Sequence, residues 1–223
     1  MRSWCSVAAI VAKDVAAELR SKETLSSMFI FALLVVVMFN FAFELRVDNV
    51  RQIAPGVLWV AFAFAGVLGF NRSFVLEREN GCIEGLMLLP VERSTIYLGK
   101  FLGNVLFMLI AEALILPIFS VLFDLSILHP LLWLVVALGT VGLAAAGTFL
   151  AAMAVNTRAR EIMLPILLFP VTVPVMIAAT KATGQILDGR PVAELYAWLR
   201  LLLAFNLVFT LLAFLGFEYV LEE

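Results

Sequence analysis

The chain has 223 residues, of which 64% are hydrophobic and 14% charged, and its mean hydropathy is +1.08. Since a soluble domain is about half apolar and a quarter charged, this composition excludes an ordinary water-soluble enzyme. A net charge of −2 excludes a strongly basic nucleic-acid-binding protein. The two cysteines cannot build a disulfide framework, and the sequence has no Cys/His cluster that could bind a metal ion.

Residues 1–24 are predicted to form an amphipathic helix that lies on the membrane surface. The first apolar stretch is short and ends at Lys13, so a cleaved signal peptide is not expected. Apolar residues at steps of three and four share one helical face, namely Trp4, Val7, Val11, Val15 and Leu19. Arg20 lies opposite this face, whereas Glu18 and Lys22 interrupt it. The alternative is a charged leader without this structure.

Six apolar segments follow, each near the length of about 20 residues that crosses a hydrocarbon core. They are Leu25–Phe43, Ile53–Phe70, Ile96–Phe123, Leu131–Val155, Ile162–Thr180 and Leu199–Val220. Because backbone groups in lipid must bond within their own segment, we expect helices, and the alternation typical of a β-barrel is absent. The sequence therefore predicts an all-α membrane protein with six transmembrane helices in one domain over residues 1–223.

The distribution of basic residues predicts the orientation. With both termini on one side of the membrane, that side holds ten of the 15 lysines and arginines. Because an excess of Lys and Arg marks cytoplasmic segments, both termini are predicted to be cytoplasmic. Cys5 and Cys82 then lie on the same, reducing side.

The longest cytoplasmic loop is predicted at residues 71–95. Acidic residues precede the turn signal Asn80-Gly81, and an apolar run that contains Glu84 ends at Pro90. This pattern predicts a short amphipathic helix flanked by charges. Such a helix can fit a groove on a soluble partner, or it can be a simple connector at the membrane interface.

This loop resembles the coupling loop of ABC-2-type export permeases through the pattern E-x-E-x-G-x-x-E-x-L…P. The resemblance assigns the contact with the ATPase to Glu77, Glu79, Gly81, Glu84, Gly85, Leu86 and Pro90. More closely, the chain resembles the cytochrome c maturation protein B family (CcmB, haem exporter protein B). The matching stretches are Ile53–Ala61, Glu84–Pro90 and Leu164–Pro174, together with Lys100.

The resemblance implies an ABC-2-type permease subunit of the inner membrane that serves haem export or delivery in c-type cytochrome biogenesis. It also implies a separate ATPase subunit, CcmA, the partners CcmC, CcmD and CcmE, and a homodimer or larger complex in membrane lipid. The chain has no G-x-x-x-x-G-K-[ST] motif to hold a nucleotide, so ATP is expected in the partner, and this chain is not expected to be an enzyme. No bound cofactor is expected, and haem is a possible substrate.

Two alternatives to haem transport stay open. In the first, ATP hydrolysis drives release of the haem-loaded chaperone CcmE, and no haem passes through this subunit. In the second, the chain is an ABC-2 permease for another substrate. The short external loops do not discriminate between these functions.

Several residues inside the spans are candidates for function. Glu112 lies near the middle of the third span, where a charged carboxylate costs about 2–3 kcal/mol or more. The alternatives are a protonated glutamate bonded to a neighbouring helix and, since the span is overlong, a position displaced toward one face of the membrane. Four prolines free backbone carbonyls and bend helices, either along a substrate path or only for packing. They are Pro117, Pro165, Pro170 and Pro174.

Three further features each have a functional and a structural interpretation. His129 precedes the fourth span on the external side, where it either ligates haem iron or begins a helix at the interface. Gly139, Gly142 and Gly147 allow close helix contact, within the chain or at a dimer seam. The basic loop 156–161 is predicted to be a cytoplasmic anchor or a secondary contact with the ATPase or lipid.

Overall fold

The structure is a computed structural model that describes residues 2–44, 50–79, 93–154, 157 and 159–220. The described helices are α1 (Arg2–Ser21), α2 (Glu23–Glu44), α3 (Val50–Glu79), α4 (Arg93–Phe123), α5 (Pro130–Ala154), α6 (Arg160–Leu187) and α7 (Val192–Val220). Among these described segments, the six from α2 to α7 are long and apolar enough to cross a membrane. The predicted all-α fold, with six spans after an N-terminal helix, is therefore confirmed.

The helices extend beyond the predicted spans by about seven residues or more at three places. Residues 71–79 continue α3, although we expected a loop from residue 71, because no glycine or proline interrupts this stretch. Residues 181–187 continue α6, and residues 192–198 begin α7 before the predicted span. Hydropathy marks the part of a helix that lies in lipid, whereas charged residues outside that part can remain helical.

The central element is α5, which packs against α3, α4, α6 and α7. Its small residues let large side chains approach its backbone. A Cβ on Gly139 would lie 2.1 Å from the Trp59 ring, and one on Gly147 would lie 2.2 Å from the Phe70 ring. Trp59 Nε1 also donates to Thr183 Oγ1 on α6 at 3.0 Å, which fixes the indole between two helices. These glycines therefore serve close packing within the chain.

Gly139→Ala is expected to destabilise the protein by about 1–3 kcal/mol, since the added methyl group overpacks a site whose ring cannot move without losing its hydrogen bond. Gly56→Ala is the matched control, because nothing lies within 4 Å of its Cβ position and alanine favours a helix by about 1 kcal/mol. Thermal unfolding in one detergent compares the two variants. An equal loss of Tm in both would contradict the packing argument.

Polar side chains also join the helices inside the bundle. Asn104 Nδ2 on α4 donates to Thr148 Oγ1 on α5 at 2.9 Å, and Asn206 Nδ2 on α7 donates to the Leu138 carbonyl at 2.9 Å. In a membrane, an apolar side chain is as favourably placed against lipid tails as against another helix. Hydrogen bonds between helices therefore add specificity to their packing. They join α4 and α7 to the central helix.

Candidate coupling site

α3 carries the first two predicted coupling residues beyond the apolar span. The span ends at Val75, whereas the helix continues to its last turn, which contains Glu77 and Glu79. Its 30 residues extend about 45 Å, compared with a hydrocarbon thickness of about 30 Å. The other predicted coupling residues lie outside the described part of the chain, namely Gly81, Glu84, Gly85, Leu86 and Pro90.

One buried ammonium group connects three helices next to this last part of α3. Lys100 Nζ on α4 lies 2.8 Å from Asp14 Oδ2 on α1, and it donates to the Ser73 carbonyl on α3 at 3.3 Å. It also lies 6.0 Å from the ring centre of Phe74. The Lys100 side chain is only 2% exposed, so these partners replace the water that would otherwise surround its ammonium group.

α1 reaches this position because two small residues of α4 admit it. Gly99 and Gly103 lie one turn apart on α4, and Ile10 lies 2.7 Å from the position of a Cβ on Gly99. Asp14 Oδ2 lies 3.6 Å from the corresponding position on Gly103. This Gly-x-x-x-Gly spacing therefore seats α1 closely against α4.

The observed packing face of α1 differs from the predicted apolar face. Val7 and Ile10 are buried, whereas Trp4 and Leu19 are 72% and 68% exposed. The helix packs against α4 through the side that contains Ile10 and Asp14, and this turns part of the apolar stripe away from the protein. The N-terminal helix itself is as predicted.

Glu18, which interrupts the predicted face, has a structural role. Its buried carboxylate accepts a hydrogen bond from the Leu25 backbone N–H at 2.8 Å, in the first turn of α2. An acidic group satisfies one of the free N–H groups at a helix start and interacts favourably with the helix dipole. Nearby, Arg72 of α3 pairs with Glu23 and donates to Ser27 Oγ at 3.2 Å.

Asp14, Glu18, Glu23, Arg72 and Lys100 are called the coupling-end cluster below. The hydrogen bonds and ion pairs of this cluster join α1 to both α2 and α4. They also join α2 and α4 to the stretch of α3 from Arg72 to Phe74. That stretch immediately precedes the predicted ATPase contact. A displacement at the end of α3 would therefore act on four helices together.

Glu112 is bonded to a neighbouring helix. Its carboxylate is buried, and Oε2 lies 2.6 Å from Thr140 Oγ1 on α5. The same hydroxyl lies 2.8 Å from the Val136 carbonyl, and it has one hydrogen for two acceptors. A glutamate that carries its own hydrogen completes both bonds. Glu112 Oε1 has no hydrogen-bond partner in the described residues.

The four candidate prolines lie inside continuous helices and mostly on the outside of the chain. Pro117 lies in α4, and Pro165, Pro170 and Pro174 lie in α6. Three of them are exposed and Pro165 is half-buried. Within a single copy of the chain they thus border its outer surface, and the interior is filled by packed side chains of α5 and its neighbours.

His129 precedes α5 and is exposed. It lines a cavity of about 200 Å³ together with Asp124 and Ser126. This volume is below the roughly 300–1,000 Å³ of ordinary ligand pockets. No group of three or more His, Cys, Asp or Glu side chains in the described ranges is arranged to hold a metal ion.

Comparison with known proteins gives matches over nearly the whole chain. The family described as CcmB protein matches residues 5–222. Heme exporter protein B of Pseudomonas aeruginosa is 28% identical over 202 residues, which is 90% of this chain and 91% of the relative. Heme exporter protein B of Rhodobacter capsulatus is 30% identical over 183 residues, 81% of this chain and 84% of the relative. That of Paracoccus denitrificans is 29% identical over 180 residues, 79% and 82% of the two chains.

Proposed function

Since the chain belongs to the CcmB family, we propose that it is the membrane permease subunit of an ABC-type haem exporter complex for c-type cytochrome biogenesis. The family match over residues 5–222 carries this proposal. Relatives from three organisms share the name heme exporter protein B. The chain is a multi-pass membrane protein, and its work in such a complex is transport or transmission, with ATP hydrolysis in a separate subunit.

The segment from Glu77 to Pro90 is proposed to contact that ATPase subunit, CcmA. Support comes from α3, which continues past the apolar span, and from the coupling-end cluster, which holds the helix from Arg72 to Phe74. Closure of the ATPase would displace the segment, and α3 would transmit the displacement to α1, α2 and α4. Two ATPase subunits need two such segments, which supports a homodimer or a larger complex with CcmC, CcmD and CcmE.

The proposed location is the inner membrane with both termini in the cytoplasm. The excess of basic residues on that side supports this orientation. Cys5 is an exposed thiol near the N-terminus and offers a test. Labelling of Cys5 in intact cells by a membrane-impermeant maleimide, in a Cys82→Ser background, would contradict a cytoplasmic N-terminus.

Deletion of the protein in its host tests the proposed function. Two quantities are measured together: covalently attached haem in c-type cytochromes, and haem in a periplasmic b-type cytochrome. If the chain exports haem, both should be lost, and the wild-type chain expressed in the deletion strain should restore both. If neither changes, the proposed pathway is wrong and another substrate becomes the leading hypothesis.

Release of haem-loaded CcmE without haem transport is the second candidate. It is favoured by the setting of the chain's single histidine, which is exposed beside a cavity of about 200 Å³. This site is small for a haem ligand pocket. In the deletion strain, loss of haem from c-type cytochromes with b-type haem retained would support this function over export.

Glu112 is proposed to act through its ionisable group. Glu112→Gln preserves the volume and can still bond to Thr140, so we expect Tm to be unchanged while c-type cytochrome formation falls. Thr140→Val leaves the carboxyl in place without this partner, and it should lower stability by about 1–3 kcal/mol. Full cytochrome formation in the Glu112→Gln strain would show that Glu112 only joins α4 to α5.

A further inference from the structure

A polar cavity of about 560 Å³ lies at the other end of the bundle from the coupling-end cluster. It is formed where α3 and α7 begin and α6 ends. Side chains of both charges, two amides and an indole line it. The lining residues that matter below are Gln52, Lys181, Gln185, Asp188, Arg190 and Trp198.

Two cations and one acid line the cavity. Lys181 and Arg190 are its cations, and Asp188 is its acid. Arg190 is already compensated, since its Nη1 lies 3.2 Å from Glu194 Oε2 and its Nε lies 3.9 Å from Asp188 Oδ2. Lys181 has no ion-pair partner within the ranges that the structure describes. The uncompensated charge of the cavity is therefore on Lys181, which suits a singly charged anion.

An acidic group lies in the same cavity. Asp188 lines it, and the Asp188 side chain is 44% exposed and therefore accessible to a ligand. Gln52 and Gln185 add two amide side chains to the lining. The ligand is thus expected to combine an anion with an ammonium group.

An exposed apolar stripe leads from this cavity along α6. Its members are spaced by three or four residues and share one helical face with Lys181. They are Ile166, Pro170, Val173 and Ile177, all exposed. The stripe from residue 166 to 181 is about 22 Å long, longer than the roughly 15 Å of one hydrocarbon leaflet. Trp198 is half-buried at the cavity, where indole rings favour the headgroup level.

We propose that this cavity binds the headgroup of one phospholipid. The phosphodiester, which carries a single negative charge, lies against Lys181. The ammonium group of the headgroup faces the Asp188 carboxylate, and one acyl chain lies along the exposed stripe of α6. A lipid held in this way would link α3, α6 and α7 at the end of the bundle remote from the proposed ATPase contact.

The test uses the full-length protein in a neutral, lipid-free detergent. Native mass spectrometry measures the fraction with one bound lipid during titration with dioleoyl-phosphatidylethanolamine. Lys181→Gln should weaken binding about tenfold, whereas Lys181→Arg should retain it. Arg200→Gln is the matched control, because Arg200 is an exposed cation of α7 that does not line the cavity. It should bind like the wild type, and Tm values confirm that all variants are folded.

Two further probes separate the sources of binding energy. Dioleoylglycerol has the acyl chains without the phosphate, and sodium phosphate has the anion without the chains. Both should bind at least tenfold more weakly than the phospholipid. Equal binding of sodium phosphate would overturn the proposal in favour of a free-anion site. Equal weakening by Arg200→Gln, tight binding of dioleoylglycerol, or no one-lipid species would overturn it as well.

Discussion

Asp14→Asn is expected to destabilise the protein by about 2–3 kcal/mol. The substitution removes the counter-charge 2.8 Å from the buried Lys100 ammonium, and breaking a buried ion pair costs about 3–5 kcal/mol. The lower value is expected here because the Asp14 side chain is 13% exposed and water partly screens the pair. The loss should appear as a fall in Tm of about 5–10 °C in detergent.

A cycle of variants distinguishes the pair from a general charge effect. Lys13 Nζ lies 3.4 Å from the other oxygen of Asp14 but is 45% exposed, so Lys13→Gln should cost less than about 1 kcal/mol. Asp14→Asn combined with Lys100→Met removes both charges and should recover at least about 1 kcal/mol relative to Asp14→Asn alone. Strictly additive single-variant losses would show that the pair has no coupling energy.

The same variants test whether the coupling-end cluster serves transmission. Lys100 also donates to the Ser73 carbonyl, so a weakened cluster leaves α3 less firmly attached to α1 and α4. Asp14→Asn should therefore reduce c-type cytochrome formation by more than the fall in membrane protein level accounts for. A decrease in strict proportion to protein level would assign the ion pair to stability only.

The six long apolar helices in the described part of the chain followed directly from the sequence, because the bilayer requires such helices. The short amphipathic helix predicted in the loop before Pro90 lies outside the described residues. The ends of α3 and α6 were not predicted, because hydropathy shows only where the lipid-embedded part of a helix ends. The end of the helix itself requires a helix-breaking residue such as glycine or proline. The polar residues from Asn71 on do not end α3, because no glycine or proline occurs between Asn71 and Glu79. Prediction of a loop from residue 71 relied on charge and therefore placed the helix end too early.

The ion pair between Asp14 and Lys100 was not predicted, although the sequence contains two indications of it. Gly99 and Gly103 have the spacing of a close helix contact, and Lys100 is an isolated cation at the start of an apolar span. The partner could not be identified, because it lies 86 residues away and depends on how α1 packs against α4. The spacing of apolar residues in α1 by three and four positions favoured a membrane-facing stripe. It gave no indication that Asp14 would face α4.

For Glu112 the sequence allowed either a functional carboxylate or a residue with a structural role. A bond to a neighbouring helix was one of the two alternatives, and Thr140 is that partner. Which helix supplies the partner depends on the packing of α4 against α5, which the sequence alone does not give. The role of the ionisable group in function remains a prediction that Glu112→Gln tests.

Glu84→Lys is expected to weaken association with the ATPase subunit about 100-fold and to abolish c-type cytochrome formation, with the level of the protein in the membrane unchanged. In the proposed coupling segment, acidic side chains at Glu77, Glu79 and Glu84 would meet a complementary basic groove. Reversal of one charge opposes like charges across the interface, which costs about 2–3 kcal/mol. Co-purification of the ATPase with the tagged chain measures the association.

Glu222→Lys provides the matched control, because it makes the same charge change on the same predicted side of the membrane but outside the coupling segment. It should leave both ATPase association and cytochrome formation unchanged. Loss of cytochrome formation by Glu84→Lys with ATPase association retained would mean that this glutamate transmits the displacement and contributes little binding energy. Normal association together with normal cytochrome formation would contradict a contact at this residue, and the ATPase would then have to act on another cytoplasmic surface, such as the loop before α6.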